Sequence, residues 1–475
     1  MNTRTTGFNL VLALAIVMTT LASCAAPAPA PAPAPTQAPA PTQAPAPTQP
    51  PAATQAPAPT QAPAAGGNVE LTFWWWAESD APGADKWMEE TVAAYEKANP
   101  NVKVNVVVQS TDTLISGFTA AATAKSGPDL ASQWATIPVL SQVWAGAVTP
   151  VSDLVPQDEM AHWLNTSENL YNGKVWAAPL YLLGIPLAYN VDLFKKAGLD
   201  PAKPPTTWDE FTADCDALKK AGITPLGAGG AKSSAFGAWM FAILGVQDLD
   251  SVDDIKAAAV GTADIKSDKY TRWIKEIESM IKKGYFNDDI GSVDMPTGMD
   301  LFAQGKVAMA WGTDGNVTDW RKTLGADKVA VMKTPIFGKG KLATAYNATQ
   351  STSFFVTSWS KNPQEAAKFL IFMHSADRLA AWYKATGVVP ADDRFDTTQI
   401  SDPCAKQLAQ FNLSPVNVWL ENFIPTQMDT DGLRPGGSML ASGQSSDDVI
   451  ALIDRTLNLW RTQSPTDVKT FAAWK

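Results

Sequence analysis

Aromatic and acidic side chains follow one another near the start of the folded chain. An apolar run ends in Trp74, Trp75 and Trp76, and Trp76 lies nearest the polar loop behind it. That loop carries Glu78 and Asp80, which are either ligand contacts or solvated acids and partners of a helix N-terminus. Indole rings cover flat, partly apolar ligand faces, and carboxylates accept hydrogen bonds from hydroxyl groups, a combination that suits sugars. Neighbouring strand residues point to opposite faces, so the three indoles cannot all meet one ligand.

The rest of the composition offers little support for other chemistry. The chain has 18 tryptophans but only two histidines, His162 and His374, which support a histidine-based metal site poorly. Gly227, Gly229 and Gly230 are not followed by the Gly-Lys-Ser/Thr of a phosphate-binding loop. The sequence therefore predicts no metal, no cofactor and no catalytic residue.

The charge balance is acidic, with 37 lysines and arginines against 47 aspartates and glutamates and a net charge of −10. Nucleic-acid binding calls for a basic face, so no nucleic-acid partner is expected. The same charge offers no general attraction to anionic ligands, although a local pocket can override it. Beyond residue 67 the chain is too long for one ordinary domain and long enough for two.

The N-terminal residues have the pattern of an export signal. The apolar stretch Phe8–Thr20 is too short to span a bilayer comfortably, and Leu21–Cys24 resembles a bacterial lipoprotein box. The resemblance implies a signal peptide over residues 1–23, cleavage before Cys24 and a lipid on its thiol. An ordinary secreted protein cut near Ala26 is the alternative.

A tether follows the leader. It covers residues 24–67, and residues 25–65 repeat Ala-Pro and Pro-Thr-Gln-Ala-Pro without a charged residue. Such a sequence cannot bury a core, and its prolines favour an extended polyproline II conformation. The predicted location is therefore extracytoplasmic, on a membrane to which the folded part is tethered at some distance.

Hydrophobic periodicity in the folded part predicts alternating strands and helices. Val69–Trp76, Val102–Val108 and Leu130–Trp134 are apolar and rich in β-branched or aromatic residues. Between the first two, apolar residues from Trp87 to Ala98 recur at helical spacing. This order predicts βαβ units and an α/β fold with mostly parallel sheets.

Further elements are predicted along the second half of the chain. Thr207 and Glu210 fit a helix capping box, and Cys215 lies on the apolar face of that helix, which favours a buried free thiol over pairing with Cys404. The other predicted elements are strands at Lys306–Trp311 and Val329–Pro335, a helix capped by Asn362 with Pro363 and Glu365 in its first turn, and a helix carrying Val449, Leu452, Ile453, Leu457 and Trp460.

Eight short motifs in order resemble one family. They are Tyr95–Pro100, Gly127–Asp129, Asn172–Pro179, Pro186–Asn190, Leu193–Leu199, Pro204–Phe211, Gly305–Met309 and Ala385–Pro390. Each motif alone is weak, but their order and spacing resemble the extracellular solute-binding proteins of ABC importers, specifically the large carbohydrate-binding family that includes maltose-binding protein. The resemblance covers residues 68–475.

The resemblance implies a two-lobed clamp with a ligand cleft at the hinge. Lobe one is expected to hold residues 68–181 and 342–373. Lobe two is expected to hold residues 184–337 and most of residues 376–475. The chain would then cross between the lobes near residues 181–184, 337–342 and 374–375.

The resemblance also nominates residues for the cleft. They lie at strand ends, at the first hinge crossing or in loops that line the cleft in the family: Gln133, Trp134, Tyr181, Trp239, Trp311, Asp314 and Arg434. They join Trp75, Trp76, Glu78 and Asp80 from the first strand.

The function implied is a lipid-anchored, monomeric receptor that captures a carbohydrate, of oligosaccharide length, and delivers it to an ABC transporter permease. The same clamp with a glycerol phosphodiester or polyamine cargo is an alternative, because related proteins with other cargo share the fold. An extracellular glycoside hydrolase is a further alternative, since its chemistry needs only two carboxylates in a cleft.

Overall fold

The computed structural model describes residues 68–231, 235–414 and 416–474. The strands are β1 (Val69–Trp75), β2 (Val102–Val108), β3 (Leu130–Trp134), β4 (Val148–Thr149), β5 (Leu170–Tyr171), β6 (Lys174–Val175), β7 (Leu183–Gly184), β8 (Leu187–Asn190), β9 (Thr224–Leu226), β10 (Val307–Trp311), β11 (Val329–Met332), β12 (Ala348–Thr349) and β13 (Thr352–Thr357). The predictions for residues 1–67, including Cys24, lie outside the described residues.

The α-helices are α1 (Ala84–Ala98), α2 (Thr111–Ala124), α3 (Ile137–Trp144), α4 (Gln157–Met160), α5 (Val191–Lys196), α6 (Trp208–Lys220), α7 (Phe236–Ile243), α8 (Val252–Val260), α9 (Asp268–Lys282), α10 (Met295–Ala303), α11 (Asp314–Leu324), α12 (Pro363–Met373), α13 (Ala376–Thr386), α14 (Pro403–Asn412), α15 (Arg434–Ala441), α16 (Ser446–Gln463) and α17 (Pro465–Ala473). A π-helical turn, Met428–Leu433, leads into α15. In the described part of the chain, no helix combines the length and apolarity needed to cross a bilayer.

Each lobe is built on one sheet. The first lobe has the strand order β2-β1-β3-β13-β4, and the second has β11-β8-β10-β9. The strand pairs β1–β2, β1–β3 and β9–β10 are parallel, as the alternation of strands and helices predicted. The α/β, two-lobed fold class is confirmed.

Each sheet is mostly parallel but contains one antiparallel strand, which arrives from the hinge. β8 follows the hinge strand β7 and runs antiparallel to β10, with Leu187 opposite Trp311. β13 follows the hinge strand β12 and runs antiparallel to β3, with Thr352 opposite Trp134. A strand that enters a sheet at the edge where its neighbours end must run antiparallel to them. The hydrophobic pattern of the sequence does not show at which edge a strand enters.

The hinge contains a two-stranded antiparallel pair between β7 and β12, in which Gly184 lies opposite Ala348. Strand β7 coincides with the first predicted crossing.

Helix α13 packs on the first lobe. Trp382 lies 5.1 Å from Trp87 between ring centres, and Trp87 Nε1 donates to the Arg378 carbonyl at 2.9 Å. Helix α13 is thus an exception within residues 376–475, because its apolar face is buried against α1 of the first lobe.

Most local predictions agree with the structure. The Thr207–Glu210 capping box begins α6, and Cys215 is buried within that helix. Helix α16 buries Val449, Ile453, Leu457 and Trp460. Asn362 is the N-cap of α12 and Pro363 its first residue, as predicted, but the Asn362 side chain makes no capping hydrogen bond and Glu365 accepts from Tyr95 Oη at 2.6 Å.

Candidate functional site

A cavity of about 370 Å³ lies where the carboxyl-end edges of the two sheets face each other. Its walls combine aromatic rings with hydroxyl, amide and charged groups. The lining tryptophans among the described residues are Trp76, Trp134, Trp239, Trp320 and Trp419. The polar lining residues are Ser79, Asp80, Asp300, Thr313, Asn316, Thr349, Ser351, Glu421, Asn422 and Arg434.

The first lobe contributes two indoles from neighbouring strand ends. Trp76 follows β1 and Trp134 ends β3, and these parallel strands stop at the same edge of the sheet. The two rings meet edge to face, with centroids 5.6 Å apart and an interplanar angle of 89°. This arrangement gives the cavity an apolar corner with ring faces in two orientations.

Asp80 is the carboxylate on the same side. It is half-buried, and its Oδ2 accepts from Ser351 Oγ at 2.6 Å and lies 3.2 Å from Tyr181 Oη. Burial raises the pKa of Asp80 to about 6, although both hydroxyl groups oppose the shift. Asp80 is thus a pre-oriented acceptor with no cationic partner among the described residues.

The two lobes touch beside Asp80. Thr313 Oγ1, at the start of α11, donates to the Asp80 carbonyl at 3.2 Å. A Cβ on Gly315 would lie 2.4 Å from the same carbonyl oxygen, so only glycine allows this approach. The cavity is therefore walled by both lobes in contact.

The second lobe supplies an arginine held between two acids. Arg434 donates to Glu421 Oε1 at 2.8 Å and to Asp429 Oδ2 at 2.9 Å. Its guanidinium carbon lies 5.9 Å from the centre of the Trp134 ring, across the cavity corner. Burial, reinforced by the neighbouring Asp429, raises the pKa of Glu421, while Arg434 opposes that shift. The positive charge of Arg434 is already balanced before any ligand arrives.

Five of the residues nominated from sequence line this cavity: Trp76, Asp80, Trp134, Trp239 and Arg434. Trp239, on α7, packs edge to face against Trp419 at 6.2 Å between ring centres. The sequence reasoning missed Trp320, Asp300 and the segment Trp419–Asn422. That segment places an aromatic residue two positions before an acid, as Trp76 and Glu78 do, and this signal could have revealed it.

Three nominated residues lie in the core instead. Trp75 is fully buried and stacks on Phe354 at 5.3 Å between ring centres. Successive strand residues point to opposite faces of the sheet, so Trp75 points into the core on the face opposite to that of Trp76. Gln133 is fully buried, and its Nε2 donates to the Leu114 carbonyl at 2.7 Å. Trp311 is buried, with its Nε1 bonded to Thr334 Oγ1 at 3.0 Å.

The remaining three support the structure around the cavity. Glu78 accepts from the backbone N–H groups of Gly83 and Asp85, both at 2.8 Å, at the start of α1. Tyr181 is buried behind Asp80 and stacks on Trp382.

Asp314 lies in the hinge and is nearly inaccessible at 2% exposure, so it does not line the cavity. Its Oδ2 accepts from Gly184 N at 3.1 Å and from Asn412 Nδ2 at 2.6 Å. Burial raises the pKa of Asp314 to about 7. Asp314 was expected to contact the ligand because its loop resembles the family segment that supplies ligand contacts, but its side chain turns towards the crossing segment.

The family follows from the sequence match. Residues 79–378 match the family model of bacterial extracellular solute-binding proteins. The chain belongs to this family. Its members are the binding components of ABC importers, in agreement with the clamp and its central cavity.

Curated relatives agree at the level of the family. The chain is 26% identical over 338 residues to a binding protein of Brucella abortus (strain 2308), and this match covers 69% of this chain and 77% of that protein. It is 28% identical over 211 residues to the sn-glycerol-3-phosphate-binding periplasmic protein UgpB of Salmonella paratyphi A, and that match covers 43% of this chain and 46% of UgpB.

Solved structures agree at the level of the fold. A chitin oligosaccharide binding protein has a TM-score of 0.74 at 19% identity and covers 83% of this chain and 99% of its own. The solute-binding protein RafE, solved with raffinose, has a TM-score of 0.69 at 18% identity and covers 82% of this chain and 99% of its own. At these identities the likeness establishes the two-lobed fold.

Proposed function

We propose that this solute-binding protein captures a neutral carbohydrate of oligosaccharide length and passes it to the permease of an ABC importer. The observation that carries the proposal is the set of tryptophans that both lobes contribute to one cavity, together with carboxylate groups and the Asn422 amide in its lining. Indole faces would cover the C–H patches of successive sugar rings, and Asp80, Glu421 and Asn422 would take hydroxyl groups. No covalent step is required of any residue.

The charges in the cavity disfavour a phosphodiester. Arg434 is the one cationic side chain among the described lining residues, and Glu421 and Asp429 already pair with it. Asp80 and Asp300 also line the cavity, and neither has a cation at ion-pair distance among the described residues. A phosphate would meet repulsion without a free cation, although some relatives of this chain are named for binding sn-glycerol 3-phosphate.

A polyamine is the second candidate, because the same acids favour a cationic ligand and indole faces attract ammonium groups. The neutral sugar is preferred because both contacts of Asp80 Oδ2 are hydroxyl groups, the groups that a sugar presents.

Ligand capture would act on the lobes. The cavity takes lining residues from both lobes, so a bound ligand stabilises the arrangement in which they touch over one in which they part. The permease would then recognise the closed clamp. The protein would act as a monomer, since one clamp contains the whole cavity.

The N-terminal residues would hold this receptor at an extracytoplasmic membrane surface. We expect cleavage before Cys24, a lipid on the Cys24 thiol and a tether over residues 24–67. Replacement Cys24→Ala should move the protein from the membrane fraction to the soluble fraction, and intact mass should show loss of the lipid. Retention of Cys24→Ala on the membrane would contradict the anchor.

A ligand panel tests the function. Calorimetric titration and thermal shift should be run with cello-, xylo-, malto- and chito-oligosaccharides, sn-glycerol 3-phosphate and spermidine. A ligand at 100 times its Kd adds about 2.7 kcal/mol of stability, a readable rise in Tm. A response to one sugar series supports the proposal, and a response to spermidine or the phosphate alone overturns the choice of cargo. Release of reducing ends would instead reveal a hydrolase.

A further inference from the structure

A second cavity of about 310 Å³ lies behind the hinge and shares no lining residue with the tryptophan-lined cavity. One wall is the loop Pro204–Thr206 and another is the end of β11 with Lys333 and Thr334. The hinge closes it, through Ile185 directly after β7 and through residues 343–347 before β12. An occupant would contact both chain segments that join the lobes.

Lys333 is the one charged side chain among the described residues that line this cavity. Its ammonium group has no carboxylate within ion-pair distance in the described part of the chain. Its contacts are a long hydrogen bond to Ser414 Oγ at 3.4 Å and two aromatic rings, Tyr346 at 5.5 Å and Phe411 at 5.4 Å from the ring centres. Burial lowers the pKa of Lys333, which indicates that its positive charge is poorly compensated by the surrounding groups.

Asn347 adds a second unsatisfied group to the same lining. It is 5% exposed, and its Oδ1 has no hydrogen-bond partner among the described residues. This oxygen only accepts hydrogen bonds, so an anionic ligand would pair with Lys333 and not with Asn347. The remaining walls are largely aliphatic, and include Ile185, Ile243 and Met332.

We propose that this cavity is a second binding site, for a small carboxylate with an apolar body. The carboxylate would pair with Lys333, and the body would cover the aliphatic wall. A single ammonium suits one negative charge, whereas a doubly charged phosphate would lack a second cation and would leave the apolar wall uncovered. The proposal stands independently of the cargo of the first cavity.

Benzoate is a suitable probe, with benzyl alcohol as its neutral analogue and inorganic phosphate as the anion without an apolar body. Titrations at fixed pH and ionic strength should show saturable benzoate binding, with benzyl alcohol and phosphate at least tenfold weaker. Absence of saturable benzoate binding, or phosphate binding at least as tight, would overturn the proposal.

Variants locate the site. Lys333→Met should weaken benzoate binding at least tenfold, whereas Lys361→Met, which removes an exposed lysine without an ion pair, should leave it unchanged. Ile336→Glu gives a second test that spares the buried residues, because Ile336 lines the cavity yet is 42% exposed. The Ile336→Glu substitution should also weaken benzoate binding at least tenfold, because the new carboxylate would repel that of benzoate. Unchanged benzoate affinity in either cavity variant would show that the acid binds elsewhere.

Discussion

The tryptophan-lined cavity and the hinge both contain acids with raised pKa values, but they are built in opposite ways. In the cavity, Asp80 lies beside open space and indole rings, and its partners are hydroxyl groups. In the hinge, Asp314 is enclosed by Gly184, Asn412 and Tyr346, and the closest groups are backbone and amide. One acid can exchange its partners for a ligand, and the other has no route to one.

The hinge is also more tightly packed than the cavity, and several of its buried polar atoms lack hydrogen-bond partners among the described residues. A Cβ on Gly184 would lie 2.3 Å from Asn412 Oδ1 and 2.5 Å from Tyr346 Oη. Asp314 Oδ1, Asn412 Oδ1 and Tyr346 Oη have no hydrogen-bond partners among the described residues. The comparison teaches that a carboxylate at a strand end can reach a ligand only when the surrounding backbone leaves space in front of it.

The largest expected effect comes from removing the cation that balances the cavity acids. Arg434→Met leaves Glu421 and Asp429 buried without their partner, which should lower the free energy of unfolding by about 3 to 5 kcal/mol near pH 8. Urea denaturation measures this, with the exposed Arg455→Met as the matched control. An equal, small change in both variants would show that the Arg434 pairs contribute little.

The next effect tests the packing of the hinge. Gly184→Ala forces a methyl group against Asn412 and Tyr346, and should destabilise the protein by about 1 to 3 kcal/mol. Gly117→Ala in α2 is the control, because a Cβ there meets only ordinary contacts at 3.9 Å. Thermal melts of both variants decide the matter, and a Gly184→Ala protein as stable as the control would mean that the hinge has room to yield.

The third prediction concerns pH and Asp314. The folded pKa is about 7, above the ordinary value of 3.8, so the folded state binds a proton that the unfolded chain has already lost. Stability from this group is present at low pH and is lost as pH rises through 7, by about 2 kcal/mol between pH 5.5 and 8.

Asp314→Asn should remove that share of the pH dependence and keep an acceptor for Gly184 N–H. Unfolding at pH 5.5 and pH 8 measures the difference, with exposed Asp327→Asn as the control. A variant whose stability changes with pH as steeply as that of the unaltered protein would place the titration elsewhere, for example at Glu168, whose pKa burial also raises to about 7.

The smallest effect concerns the aromatic wall and sharpens the cavity side of the comparison. Trp239→Ala should weaken the binding of the sugar identified by the panel about tenfold, or about 1.4 kcal/mol, through loss of one stacking face. Trp176→Ala, on the β5–β6 hairpin away from the cavity, should leave affinity unchanged. Equal losses in the two variants would indicate a general effect on folding rather than a ligand contact.

The lining of the tryptophan-lined cavity was predictable where residue type and strand end coincided. Trp76, Asp80 and Trp134 follow or end parallel strands, and the carboxyl ends of such strands meet at one edge. Trp320 carried no comparable signal, because it comes from a helix whose position depends on how the second lobe folds. Trp419 lies two positions before Glu421, but no strand end marked that segment.

The sequence by itself determined the α/β character, the strands β1, β2 and β3, the capped helix α6, and the family. These depend on periodicity, capping residues and short motifs, which are local. Only the tertiary structure decided which strand-end residues face the cavity, that Asp314 belongs to the hinge, that α13 packs on the first lobe, and that β8 and β13 run against their neighbours. Those features depend on where the chain re-enters each lobe and on the space left in front of a side chain, and both arise from contacts between residues far apart in sequence.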